Sequence, residues 1–413
     1  MNSISIENLI ADRIGGSSIF KKNDGYKFEK IIKNKAFALK NNLHLKLLDL
    51  GLGEPDSMAM KEVVDILSQE AYKKENRFYS DNGLSEFKKA AACYLENNFN
   101  TIPLDPNTEV NHCIGSKAAL AQIPAAFINP GDISLVTVPG YPVLGTHTKW
   151  LGGQVVNLPL KKENNFLPDF NSLSDEIKRK AKLLYINYPN NPTGATATYE
   201  FYEKVVQFCK ENQIICISDE AYAALTFSEN EPMISFLSVP GAKEVGIVIH
   251  SLSKAYNMTG WRLGFVAGNE NIVKAFAQVK SNYDSGQFIP IQKAGVYCLE
   301  HPEFSKKMAQ KYHRRHELLG KVLKKIGFTV TEPKASFYQY VEAPKSIKNG
   351  PIFKTGEDFS DFLIKQKSIS TVPWDDVGRY VRFSVTFEAE SENEEKQVIQ
   401  EIYERLGSLE FIW

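Results

Sequence analysis

"VGIVIHSLSKAYNMTGWRLGFVAG", Val245 to Gly268, is an apolar run, a polar loop and a second apolar run. Short continuous apolar runs rich in β-branched residues read as strands buried on both faces. Between the two stands one lysine, Lys254, among Ser251, Ser253, Tyr256 and Thr259, with Arg262 close behind. A solvated lysine needs no such company. Serine hydroxyls and an arginine fork are the partners that a phosphate monoester requires. Taken alone, the loop is equally well a polar hairpin, so its meaning depends on what surrounds it.

The same alternation extends outward in both directions. Between about Glu70 and Glu300, the runs "ISLVTV", "KLLYINY" and "IICIS" exchange with helical patterns such as "LSEFKKAAACYLENNF", which sets Leu84, Phe87, Ala91, Tyr94 and Leu95 on one stripe. Buried runs separated by helices predict an α/β fold, a mostly parallel sheet sandwiched by helices, over residues 71–300. After "LEHPEF" come the amphipathic "KKMAQKYHRRHELLGKVLKKIG", the run "SFYQYVE", a helix near "EDFSDFLIKQK", the run "YVRFSVTF" and a helix from about Ser391. This mixture predicts a smaller α+β domain over 301–413. Residues 1–70 are expected to form an N-terminal arm and part of that small domain. No repeat or flexible tether separates the parts.

At 413 residues the chain exceeds the size at which single cores stop growing, so two lobes are expected. Its 49 basic and 49 acidic residues leave no electrostatic footprint for nucleic acid or for a membrane surface. The five cysteines, Cys93, Cys113, Cys209, Cys216 and Cys298, include no C-x-x-C pair, which suggests reduced thiols and no metal site. "MNSISIENLIADRIGG" reads as neither signal nor transit peptide, and "AALAQIPAAFINPG" is too short and too broken to span a bilayer. A cytoplasmic protein is expected, with small molecules or other subunits as partners.

Three further stretches follow predicted strands. "SDEAYAAL" places Asp219 at the C-terminal end of a strand, where α/β sheets hold their ligands, although aspartate there is also a good helix cap. "NYPNNPTG" brings Asn191 to the same edge within a segment whose prolines and asparagines also favour a turn. "IGSKAALAQ" puts Gly115, Ser116 and Lys117 at a helix N-terminus, which suits an anion or a simple serine cap.

Together these motifs, from "DLGLGEPD" through "NNPTG", "SDEAY" and "SLSKAYNMTGWRLG" to "YVRFSV", resemble the fold-type I pyridoxal 5'-phosphate enzymes, specifically the class I/II aminotransferases. The resemblance implies a catalytic lysine, Lys254, bonded covalently to the cofactor. It implies Asp219 against the pyridine nitrogen, Tyr222 and Asn191 on the phenolic oxygen, and Tyr141 over the ring. Ser116, Lys117, Ser251, Ser253 and Arg262 match the phosphate positions. Tyr79 matches a tyrosine that reaches the phosphate from a neighbouring subunit, which implies a homodimer with shared active sites. Arg382 and the backbone of Gly53 match the contacts to the substrate α-carboxylate, and Tyr141 and Asn191 are expected to touch substrate as well.

Within that family, "ADRIGG", "KKENRFYSDNG", "VPGYPVLGTHTKW", "DSGQF" and "ISTVPWDDVG" look like the LL-diaminopimelate aminotransferases. The implied reaction converts tetrahydrodipicolinate and L-glutamate to LL-diaminopimelate and 2-oxoglutarate, by ping-pong through pyridoxamine phosphate. The loop "KSNYDSGQF", Lys280 to Phe288, carries no arginine, which weakens a dedicated aspartate clamp. Lys117 is expected to meet the distal carboxylate and Asp81 the distal ammonium, and Tyr26 matches a substrate-contacting tyrosine of the arm. A broad aromatic or glutamate-type aminotransferase is the alternative, and a β-lyase of the same fold is a more distant one.

Overall fold

The computed structural model describes residues 5–20, 27–228 and 234–413. The first strand, β1 (Leu48–Asp49), is short and belongs with elements that come much later in the chain. Next come β2 (Val110–Cys113), β3 (Ile133–Val138), β4 (Gln154–Pro159), β5 (Ala181–Asn187), β6 (Ile215–Asp219), β7 (Gly246–Ser251) and β8 (Gly264–Gly268). These form one seven-stranded sheet in the order β2-β8-β7-β6-β5-β3-β4. The predicted runs became β3, β5, β6, β7 and β8.

The sheet is mostly parallel, as expected, with one reversed strand: β8 is antiparallel to both β7 and β2. Parallel neighbours need a crossover of a dozen or more residues, usually a helix, to return the chain to its starting edge. Residues 252–263 contain only short helical turns around Lys254, so the chain doubles back instead. Two strands left no sequence signal. β4 is a largely exposed edge strand, and β2 is spelled with the polar pair Asn111 and His112, which are buried against polar partners.

Helices cover the sheet as the stripes predict. Ser85–Phe99 buries Phe87, Ala91, Tyr94 and Leu95, and Leu84, just before it, is partly exposed. Lys61–Ala71 packs against Ile289–Glu300 and contributes Val63 to the core beneath the sheet.

A second core gathers around β9 (Tyr338–Glu342), β12 (Val372–Pro373) and β13 (Tyr380–Ser384), an antiparallel sheet in the order β12-β13-β9. Two small pairs flank it: β10 (Ser346–Ile347) with β14 (Phe411–Ile412), and β11 (Ile369–Ser370) with β1, in parallel. The helix Glu303–Ile326 lays Tyr312, His316, Leu319 and Leu323 on its buried face and ends where Gly327 turns left-handed at φ 110°. Glu392–Leu406 starts at the expected Ser391, whose hydroxyl accepts from the Glu394 N–H. Among the described residues no helix is long and apolar enough to cross a membrane, and no cluster of side chains suits a metal ion. Their cysteines are all free.

A buried arginine ties this second core to the segment that leads into the site. The Arg315 guanidinium is fully buried and donates to Glu395 at 2.9 Å, to Asp56 at 3.1 Å, and to the carbonyls of Val385, Phe387 and Ala389. Arg314 and Lys311 add charge to the same two carboxylates. Replacing Arg315 with Met strands three carbonyls and weakens the hold on Asp56. Loss of one partner from a buried, hydrogen-bonded ion network costs about 3–5 kcal/mol. Chemical denaturation of Arg315→Met is expected to show a loss of that size, whereas an unchanged unfolding midpoint would mean that the network contributes nothing net.

Candidate active site

The C-terminal ends of β2, β3, β5, β6 and β7 open on one edge of the large sheet, where ligands of α/β sheets bind. Between that edge and the second core lies a cavity of about 510 Å³. Its wall includes Gly53, Ser116, Lys117, Tyr141, Asn191 and Asp219. Tyr222, Ser251, Ser253, Lys254, Arg262 and Arg382 complete the set brought together from the sequence reading.

Lys254 lies in a helical turn, Leu252–Ala255, started by Ser251, whose hydroxyl accepts from the Ser253 N–H at 3.2 Å. The turn sends the amine across the cavity to the carbonyl of Gly53, 2.5 Å away. Burial lowers the Lys254 pKa to about 8, the Glu54 carboxylate opposes that shift, and Arg262 and Arg382 add to it.

Asp219 ends β6 and is buried. Register places it opposite Asn187 on β5, so Tyr185, two residues earlier on β5, shares its face and donates to Oδ2 at 3.1 Å. Burial pushes the Asp219 carboxyl up to about 6, against hydrogen bonds from Tyr185 and the Ala221 N–H. Asn187 locks the strand ends: its amide donates to the Asp219 carbonyl at 2.8 Å and its Oδ1 accepts from the Asn191 N–H at 2.9 Å.

On the anion side, Gly115 (φ 75°) turns the chain into the helix Ser116–Phe127, whose N-terminus lines the cavity. A Cβ at Gly115 would fall inside the Arg262 guanidinium, so only glycine allows this approach. Arg262 donates to the Ser253 hydroxyl at 3.2 Å and to the Thr259 carbonyl at 2.7 Å.

Across the cavity, the Arg382 guanidinium stacks 4.0 Å from the Tyr338 ring centroid and donates to Asn191 Oδ1 at 2.8 Å and to the Gly51 carbonyl at 3.1 Å. Its buried Nε–H has no partner among the described residues. The Tyr222 and Tyr338 hydroxyls bond each other at 3.0 Å. The arrangement presents an amine, a buried carboxylate, a helix N-terminus with hydroxyls and an arginine, and a second arginine to one volume.

Other expected residues stand apart. Tyr79 is 83 % exposed and, like Asp81, does not line this cavity; Tyr26 lies outside the described residues. In the arginine-free loop, Lys280 is buried and its amine is held by Asp284 and the Asp81 carbonyl, both at 2.6 Å. Sequence reasoning missed Tyr185, Asn187, Glu54, Lys35 and Tyr338. Asn187 and Tyr185 were findable, because they alternate on the strand run that leads to Asp219. Tyr338 belongs to another lobe and gives no local signal.

A lysine with its pKa near 8 is neutral in about one molecule in ten at pH 7, against about one in three thousand at the ordinary value of 10.5. In the cofactor-free protein, borohydride-trapped capture of an aldehyde at Lys254 should therefore rise with pH and reach half its plateau rate near pH 8. A half-rise near pH 10.5, read by peptide mass spectrometry, would remove burial as the activating cause.

The chain matches the family described as aminotransferase class I and II over residues 46–401. It is 55 % identical to the LL-diaminopimelate aminotransferase of Methanocaldococcus jannaschii, the match covering 98 % of each chain. It is 54 % identical to that of Methanococcus maripaludis, covering 99 % of each. Among solved structures, substrate-bound BacF from Bacillus subtilis superposes with a TM-score of 0.84 at 30 % identity, over 95 % of this chain and 97 % of that one. Enzymes of this kind depend on pyridoxal 5'-phosphate. With the family matched along most of its length and relatives at more than half identity throughout, this chain belongs to the class I and II aminotransferases.

Proposed function

We propose that the protein is an LL-diaminopimelate aminotransferase: L-glutamate gives its amino group to tetrahydrodipicolinate, opened by one water, to form LL-diaminopimelate and 2-oxoglutarate. The carrying observation is the buried Lys254 amine, directed into a cavity lined by Asp219 on one side and by Arg382 on the other. Relatives named for this reaction, alike over nearly their whole length, support the choice of substrate.

The donor set fits pyridoxal 5'-phosphate. Asp219 is a buried carboxylate that forms no close ion pair among the described residues, and a protonated ring nitrogen would supply one. The helix N-terminus at Ser116, the Ser251 and Ser253 hydroxyls and Arg262 would take the phosphate, with Lys117 contributing from the same turn. Tyr222 and Asn191 would hold the phenolic oxygen, and Tyr141 would cover the ring. When bound, the cofactor supplies an aldehyde that condenses with amines and a ring that withdraws electrons from the substrate Cα.

The chain's own residues do the rest. Arg382, fixed by Asn191, Gly51 and the Tyr338 ring, keeps a second N–H on each terminal nitrogen for the substrate carboxylate, beside the backbone of Gly53. Lys254 Nζ, neutral often enough near pH 7 to accept a proton, takes it from the substrate Cα and returns it elsewhere in the same half-reaction. Asp219 would hold a proton on the ring nitrogen of the bound cofactor. At the distal end, Lys117 is the cavity-lining cation proposed for the second carboxylate.

Tyr79 and Asp81 fit a role in the cavity of a second copy. Asp81 N–H bonds the Ser285 carbonyl at 3.1 Å, so Tyr79 stands beside the loop that carries Tyr283 and Phe288, and all three aromatics are exposed. Such a patch marks an association surface. We infer a homodimer with shared sites, in the cytoplasm. Sedimentation should give twice the chain mass at micromolar concentration, and a monomer with full activity would exclude shared sites.

Lys254→Ala should lose both the visible absorption of the loaded enzyme and transamination; a variant that works at the normal rate would remove Lys254 from the chemistry. Arg382→Ala should cost about 2–5 kcal/mol in kcat/KM for every amino donor, as expected when one partner of a buried charged pair is removed. Lys117→Ala should hurt LL-diaminopimelate more than a monocarboxylic donor, and equal losses would exclude it from distal recognition. A donor panel with 2-oxoglutarate, including LL- and meso-diaminopimelate and aromatic amino acids, tests the substrate. Preference for aromatic donors over LL-diaminopimelate would replace the proposal with a broad-specificity aminotransferase.

A further inference from the structure

Arg262 carries the anion side of the cavity, yet its backbone is left-handed at φ 59°, a region that residues with a Cβ rarely occupy. Left-handed residues other than glycine persist only where their surroundings hold them. Here the holding group comes from a distant part of the chain. The Gln287 side-chain amide donates to the Trp261 carbonyl at 2.7 Å and to the Arg262 carbonyl at 2.8 Å. One nitrogen therefore bonds the carbonyls on both sides of the strained residue.

Gln287 is itself held at every polar atom. Its amide nitrogen is committed to two carbonyls, so its Oε1 is the acceptor for His112 Nε2, 2.8 Å away, and His112 is a donor there. Burial depresses the His112 pKa to about 4, so the ring stays neutral and keeps this one orientation near pH 7. The Gln287 backbone exchanges two hydrogen bonds with the Ser80 hydroxyl, at 2.7 and 3.0 Å, and its carbonyl accepts from Gln292 at 3.0 Å. The loop that lacks an arginine for substrate is thus occupied in bracing the Arg262 corner.

We propose that Gln287 is a positioning residue for the anion-binding half of the site: by clamping the Trp261 and Arg262 carbonyls it holds the Arg262 guanidinium against Ser253 and Gly115. The inference rests on the reading that Arg262, Ser253 and the Ser116 helix start receive the cofactor phosphate. Gln287 touches neither cofactor nor substrate; it acts through Arg262.

The test compares two aldehydes on cofactor-free protein, pyridoxal 5'-phosphate and pyridoxal, which differ only in the phosphate. Binding is read by absorbance of the captured aldehyde, and thermal unfolding is followed in parallel. Gln287→Met keeps the length of the side chain and removes the amide. Gln287→Glu keeps an oxygen but removes both N–H donors, and serves if the first variant does not fold. Each should weaken pyridoxal 5'-phosphate about tenfold or more, the loss of two hydrogen bonds at a strained arginine, and leave pyridoxal within about twofold of wild type. At saturating cofactor, kcat and KM should stay near wild type, a split that general destabilisation would not produce. If the variants lose affinity for both aldehydes equally, or for neither while wild type still discriminates between them, Gln287 does not position Arg262. If wild-type protein binds the two aldehydes equally, the phosphate reading itself fails and takes this inference with it.

Discussion

A carboxylate removed from water at the end of a central strand constrains everything around it. Asp219 is buried, with a tyrosine hydroxyl and a backbone N–H as its hydrogen-bond donors, and burial alone pushes it toward the neutral form. A negative charge there is stabilised further by a positive one opposite it. The site therefore favours a ligand that brings a cation to that edge of the sheet, as the protonated ring of the family's cofactor would. The strand register that pairs Asn187 with Asp219 and sets Tyr185 on the same face is what makes the carboxylate immobile enough to choose.

The two cores meet over that edge, and the reacting groups are divided between them. The large sheet supplies Asp219, Asn191, Lys254 and the anion cradle; β13 supplies Arg382. Arg382 donates to Asn191, and Tyr338 joins it to Tyr222, so the two sides of the cavity are linked through shared side chains. The Arg315 network performs a similar function one layer out, holding Asp56, a few residues past Gly53, against the second core. Lys254 Nζ then finds the Gly53 carbonyl across the gap. A displacement of either lobe would move both ends of the substrate at once.

Much of this was readable along the chain, and the failures have physical causes. The buried strands β3, β5, β6 and β7 announce themselves because a strand covered on both faces must be apolar throughout. The stripe on Ser85–Phe99 does so because only one face of that helix is covered. β4 lies exposed at an edge, and β2 buries an asparagine and a histidine through side-chain hydrogen bonds, so neither obeys those patterns. The direction of β8 follows from a connection that holds only short helical turns and no crossover helix, a property of the chain's path. Ser116, Tyr141, Asn191, Asp219 and Lys254 line one cavity because they follow or end large-sheet strands at the same edge, whereas Arg382, within β13, and Gly53, after β1, reach it from the second core. Tyr338 and Gln287 escaped because their partners are far away in sequence: Tyr222 and Arg382 for one, Arg262 and His112 for the other.

The sequence by itself determined the local chemistry: a lysine among hydroxyls, a carboxylate at a strand end, glycine before an anion-binding helix, and the alternation that builds an α/β sheet. These are properties of short segments, set by propensity, hydrophobic period and turn chemistry. Only the tertiary structure decided which groups are active. It buried the Lys254 amine until its pKa fell, took the Asp219 carboxylate out of water, and committed Lys280 to Asp284 and the Asp81 carbonyl while bringing Arg382 to the cavity wall. Burial and pairing depend on which distant segments arrive, and no segment carries that information alone.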